Sequence, residues 1–127
     1  MTTVRQMIET WNGGDFDAYF SYLDPACEVD WSRSIGPERG VYRGGEEVAR
    51  LFRAYREIFS AMTFELGELV DSGPDVLVPN VGHITSRDGI TATARSFFLM
   101  TFEQGRVVRI VLFNDEAEAR AAIGPPA

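Results

Sequence analysis

Residues 91–113 read TATARSFFLMTFEQGRVVRIVLF, and this stretch decides the fold class. Two strand-like segments, Thr91–Glu103 and Arg106–Phe113, flank Gln104-Gly105, a dipeptide suited to a tight hairpin turn. Upstream the period of two persists. Thr63–Asp71 and Asp75–Ser86 read as strands, with Ser72-Gly73-Pro74 between them and Arg87-Asp88-Gly89 leading into the next. The second half of the chain is therefore expected to be a four-stranded antiparallel meander. Phe97, Phe98, Leu99 and Met100 run consecutively, so both faces of this sheet need cover. Helices are expected to cover one face only, and a homodimer through the outer sheet face is the expected cover for the other.

The first half supplies the helices. Val4, Met7, Ile8 and Trp11 fall at helical spacing, and Asn12-Gly13-Gly14 stops that helix. Asp15 is placed to cap a second short helix carrying Phe16, Tyr19, Phe20 and Leu23, and Asp24-Pro25 should end it. Cys27–Ser32 alternates as a strand, with Cys27, Val29 and Trp31 on one face and Glu28 and Asp30 on the other. An irregular loop is expected from Arg33 to Gly44. A third helix follows from about Gly45 to Ala61, with Val48, Leu51, Phe52, Tyr55, Phe59 and Met62 as its apolar stripe. Asp115 should cap a last short helix, Glu116–Ile123. The expected architecture is α+β: a cone-shaped, strongly curved mixed sheet, mostly antiparallel meander, wrapped over three helices, with a short C-terminal helix. No linker or repeat divides residues 1–127, so one domain is expected, with a pocket at the open end of the cone.

Composition narrows the function. The formal net charge is −7, so phosphate backbones and anionic lipid surfaces are repelled; neither a nucleic acid nor a membrane partner is expected. Cys27 is the single cysteine and fits a reducing, cytoplasmic setting. One histidine and one cysteine cannot furnish an ordinary zinc site, and no glycine-rich phosphate loop is evident, so no metal and no cofactor are expected. Nine phenylalanines, four tyrosines and two tryptophans suit an apolar pocket or a large aromatic core equally.

Asn12-Gly13-Gly14-Asp15-Phe16-Asp17, Leu23-Asp24-Pro25, Val29-Asp30-Trp31, Gly40-Val41-Tyr42-Arg43-Gly44 and Gly105-Arg106-Val107-Val108-Arg109 together resemble the SnoaL-like and ketosteroid-isomerase-like families of the nuclear-transport-factor-two-like superfamily. The resemblance spans nearly the whole chain and implies a cone with an internal pocket. The superfamily hosts isomerases, cyclases, dehydratases, epoxide hydrolases and non-catalytic proteins. Where ketosteroid isomerases carry a tyrosine, an aspartate base and an aspartic acid, the alignment puts Met7, Trp31 and Phe98. Where limonene-epoxide-hydrolase relatives carry Asp-Arg-Asp, Arg95 is followed two residues later by Phe97. Neither chemistry is implied, and the resemblance keeps the pocket alone.

Residue types nevertheless nominate candidates. His83, mid-strand, is the one histidine and the candidate for proton transfer, with Asp30 or a bound water as partner; a structural histidine and a loop-capping aspartate are the alternatives. Trp31, Phe59, Phe98 and Phe113 are candidate pocket walls, joined by Tyr19 and Phe52. Arg95 and Arg109 could anchor an anionic group or close structural ion pairs, and Asn114 could bond a ligand or merely precede the Asp115 cap. The expected function is binding of a small hydrophobic organic molecule, with cyclase, isomerase or lyase chemistry on one side. On the other stands a non-catalytic binding or dimerisation module.

Overall fold

The computed structural model describes residues 2–34 and 39–123. Its elements are α1 (Thr2–Asn12), α2 (Phe16–Ser21), β1 (Leu23–Asp30), β2 (Val41–Arg43), α3 (Gly44–Ile58), β3 (Phe59–Leu66), β4 (Val70–Ser72), β5 (Asp75–Ser86), β6 (Thr91–Glu103), β7 (Arg106–Phe113) and α4 (Glu116–Ile123). They build one mixed sheet in the order β2-β1-β7-β6-β5-β3, with β4 also paired to β5. Only β1 and β7 run parallel; the other pairs are antiparallel.

Local chemistry explains the punctuation. Gln104 and Gly105 both adopt positive φ, 52° and 79°, and join the paired residues Glu103 and Arg106 in a two-residue hairpin loop. Asp15 Oδ1 accepts from the Ala18 amide, and Asp115 Oδ2 accepts from the Glu118 amide, so both expected caps form. Asn12 does more than end a helix. Its side chain donates to the Phe64 carbonyl and accepts from the Phe64 amide, each at 2.8 Å, which pins α1 to β3. Trp11 adds a bond from its indole Nε1 to the Met62 carbonyl, also at 2.8 Å.

Several boundaries differ from expectation, among them β1, which runs Leu23–Asp30 where Cys27–Ser32 is expected. Asp24-Pro25 lies inside β1, not at a helix end; proline is tolerated because the β1–β7 register is irregular between Leu23 and Glu28. The strand expected over Thr63–Asp71 is split into β3 and β4 around Gly67, whose amide bonds the Pro79 carbonyl at 2.8 Å. Helix α3 ends at Ile58, three residues early, because Phe59 is already extended. The short β2 lies within the segment expected to be loop.

The sheet has two buried faces. Inside, α1, α2 and α3 pack against it through a core that includes Val4, Met7, Trp11, Leu51, Val78, Met100 and Ile110. Trp11 is the hub of an aromatic cluster, with edge-to-face contacts to Phe16, Tyr19 and Phe52 at 4.9, 5.1 and 5.1 Å. Outside, Leu77, Phe97, Leu99, Val111 and Phe113 cluster with Ala119 of α4. The helix thus covers from within the chain the apolar patch on which the expected dimer rested. The consecutive run Phe97–Met100 needs no partner subunit to bury it.

Candidate functional site

A cavity of about 490 Å³ opens between the inner face of the sheet and the end of α3. Strand alternation decides which side chains reach it. Gly82 and Ile84 of β5, Ala94, Ser96 and Phe98 of β6, and Leu112 of β7 share the inward phase. Phe64 and Met62 of β3, Tyr55 and Phe59 from the α3–β3 junction, and Trp31, Ser34 and Asn114 complete the lining with Arg95 at its edge. The wall is chiefly apolar. Trp31 stacks on Phe98 with ring centroids 5.7 Å apart, and Phe64 meets Phe98 edge-on at 5.4 Å.

The polar groups are few and mostly engaged. Ser96 Oγ donates to Oδ1 of buried Asn80 at 2.8 Å, and Asn80 donates on to the Val78 carbonyl. Asn114 donates to the Arg33 carbonyl, which ties the end of β7 to the loop after β1. Ser34 is buried. Among the described residues, the lining holds no carboxylate, imidazole or thiol. Nor does any cluster of three metal-ligating side chains occur among them.

The nominated residues separate accordingly. Trp31, Phe59, Phe98 and Asn114 line the cavity; Arg95 borders it from the opposite strand phase, with its guanidinium 5.8 Å from the ring centroid of outward-facing Phe97. His83 does not. It occupies the opposite phase from Gly82 and Ile84, is exposed, and its Nε2 lies 3.2 Å from Glu65 Oε1 on the outer face. The expectation that it transfers a proton inside the pocket is corrected by this phase: its neighbours in register are Thr63 and Thr93, not the cavity wall. Asp30 is likewise absent from the lining. Its Oδ1 accepts from the Ser32 amide at 3.0 Å and the Ser32 hydroxyl at 2.6 Å, and Arg33 lies 3.8 Å from Oδ2. Burial alone would raise this carboxyl, but the Ser32 bonds and the arginines outweigh it and hold it below the usual carboxylate range. Asp30 is an ionised loop cap, and the structure does not bring it together with His83.

Four further candidates also lie elsewhere. Phe113 points outward into the cluster under α4, with the Arg33 guanidinium 4.7 Å from its ring centroid; its neighbour Leu112 takes the cavity position. Arg109 bonds Glu28 Oε2 at 3.3 Å, while Arg43 bonds Glu28 Oε1 at 2.9 Å, a structural ion triad. Tyr19 and Phe52 belong to the packed aromatic cluster around Trp11, where only a void of about 20 Å³ remains. Burial pushes the Tyr19 phenol well above its ordinary value, with nearby Cys27 adding to the effect. The residues that sequence reasoning missed, Tyr55, Met62, Phe64, Ile84, Ser96 and Leu112 among them, carry a usable signal. Apart from Arg95, the strand positions on β5 and β6 follow from fixing one inward residue and stepping by two.

Comparison with known proteins places this geometry. No curated protein matches the chain. Among solved structures, an NTF2-like protein of unknown function from Burkholderia pseudomallei is 26% identical, covering 98% of this chain and 97% of that one, with a TM-score of 0.79. TerC, co-crystallised with polyporic acid, is 18% identical over 96% of this chain and 95% of its own, with a TM-score of 0.77. A Mycobacterium tuberculosis protein in complex with estradiol-17beta-hemisuccinate is 14% identical over 91% and 93%, also with a TM-score of 0.77. The last two share the fold at an identity too low to carry more. The family model for the SnoaL-like domain matches residues 4–110, from the first turn of α1 to the middle of β7, and the chain therefore belongs to the SnoaL-like domain family.

Proposed function

We propose that this protein binds a small hydrophobic organic molecule in the cavity of about 490 Å³, with the Trp31–Phe98 stack as its principal contact. The single observation that carries the reading is the character of the lining. Aromatic and aliphatic walls surround a space of small-molecule size, and a few polar groups stand at its edge. A flat apolar ligand gains most from such walls, since ring faces offer both area and stacking geometry. Asn114, Ser34 and Ser96 are the groups that would orient it. The ligand complexes of TerC and of the mycobacterial protein support small-molecule binding by this fold.

Isomerase, cyclase or lyase chemistry needs a proton-transfer group at the substrate. The described lining offers none that titrates near neutrality, so binding is favoured over acid–base catalysis. The test is a titration with the neutral fluorophore N-phenyl-naphthylamine. Wild-type protein should give saturable enhancement. Ala94→Trp, which fills the cavity from an exposed strand position, should abolish it. Equal binding by both proteins would overturn the reading.

A further inference from the structure

A second cavity, of about 220 Å³, shares Tyr55, Phe59 and Met62 of its lining with the first. Its lining differs in charge. Arg56 and Arg87 face it, and no carboxylate does among the described residues. For a chain of net charge −7 this is a local reversal of sign. The two arginines are held differently. Arg87 donates from Nε to the Glu57 carbonyl at 2.9 Å and from Nη2 to the Arg56 carbonyl, so it neutralises the last carbonyls of α3. Arg56 lies with its guanidinium 4.4 Å from the ring centroid of Phe16, and no carboxylate of the described residues is in ion-pair range of it. A guanidinium resting on an aromatic face keeps its in-plane N–H donors free, and those donors match the two oxygens of a carboxylate.

We infer that this second cavity is an anion subsite, and that the ligand class is an organic carboxylate with an apolar body. The apolar body lies against Tyr55, Phe59 and Met62, the residues both cavities share, and the carboxylate meets Arg56, with Arg87 offsetting the negative field of the helix end. The inference rests on the reading of the main cavity as a ligand site. It goes further by requiring a charge on the ligand and naming the residue that selects it.

The test compares naphthoate with its uncharged isostere naphthamide by calorimetry at low salt, on the full chain. Wild type should bind naphthoate about fivefold or more tighter, the scale of one interaction between partly exposed charges. Arg56→Gln should reduce that preference to near parity, and Arg56→Lys should restore part of it. Added salt should weaken naphthoate binding and leave naphthamide unchanged. Parity in the wild type, or a preference that survives Arg56→Gln, overturns the inference. Saturable binding of the neutral naphthylamine in the same sample would then leave the main-cavity reading standing. If none of the three compounds binds, both fall together.

Discussion

The ring of Trp31, the residue after β1, stacks on that of Phe98 in β6 at 5.7 Å with an interplanar angle of 24°, with β7 lying between the two strands. These are the two positions at which the resemblance to ketosteroid isomerases would put a base and an acid. The fold brings them to one cavity wall, and the sequence fills both with aromatic rings. Both rings line the main cavity, so this part of its wall is an apolar, stacking surface.

Trp31→Ala should lose stability near the lower end of the about 3–5 kcal/mol seen for buried aromatic truncations, because one side of the ring already borders open space. Ligand binding should fall more steeply than stability. Trp31→Phe should keep both close to wild type. Chemical denaturation alongside a binding titration checks the pair.

His83→Gln should leave ligand binding unchanged and shift stability by no more than about 0.5 kcal/mol, since the pair with Glu65 is exposed on the outer face. Loss of binding in a folded His83→Gln protein would contradict the placement of this side chain.

Acid should destabilise the fold in part through Asp30. Its carboxyl is held below the usual range in the folded chain, whereas the unfolded chain titrates near about 3.9. The stabilisation is therefore present above the unfolded value and is lost as pH falls through the folded one. In melting curves taken from pH 6 downward, Asp30→Asn should lose less stability than wild type. An identical acid limb would contradict the role of the Ser32 bonds.

The fold was legible in the sequence because its signals are local and mutually consistent. The glycine turns, the caps at Asp15 and Asp115 and the two-residue period each act over a few residues. The boundaries that slipped, at Pro25, Gly67 and Phe59, depend on which strand lies alongside, which no local window contains. The site was half legible for a related reason. His83 shares its phase with Leu77 and Val81, and that apolar face looked like the inside. It is apolar in part because α4, from the far end of the chain, covers it. Phe113 was misplaced by the same ambiguity.

Cys27 should resist thiol reagents in the native state. It is buried, and burial pushes its thiol up to about 12, with Asp24 and Glu28 adding to the effect. Labelling should appear only when denaturant unfolds the chain. Rapid native labelling would mean that the core around β1 opens.

The most direct test of the cavity reading uses the two tryptophans, which give two indole N–H resonances in a proton–nitrogen correlation spectrum. Trp31 lines the main cavity, whereas Trp11 is locked by its bond to the Met62 carbonyl. On titration with the neutral naphthylamine, the Trp31 resonance should move saturably and the Trp11 resonance much less. A Trp31 resonance that stays fixed while the probe binds, or a probe that fails to saturate, would contradict the account.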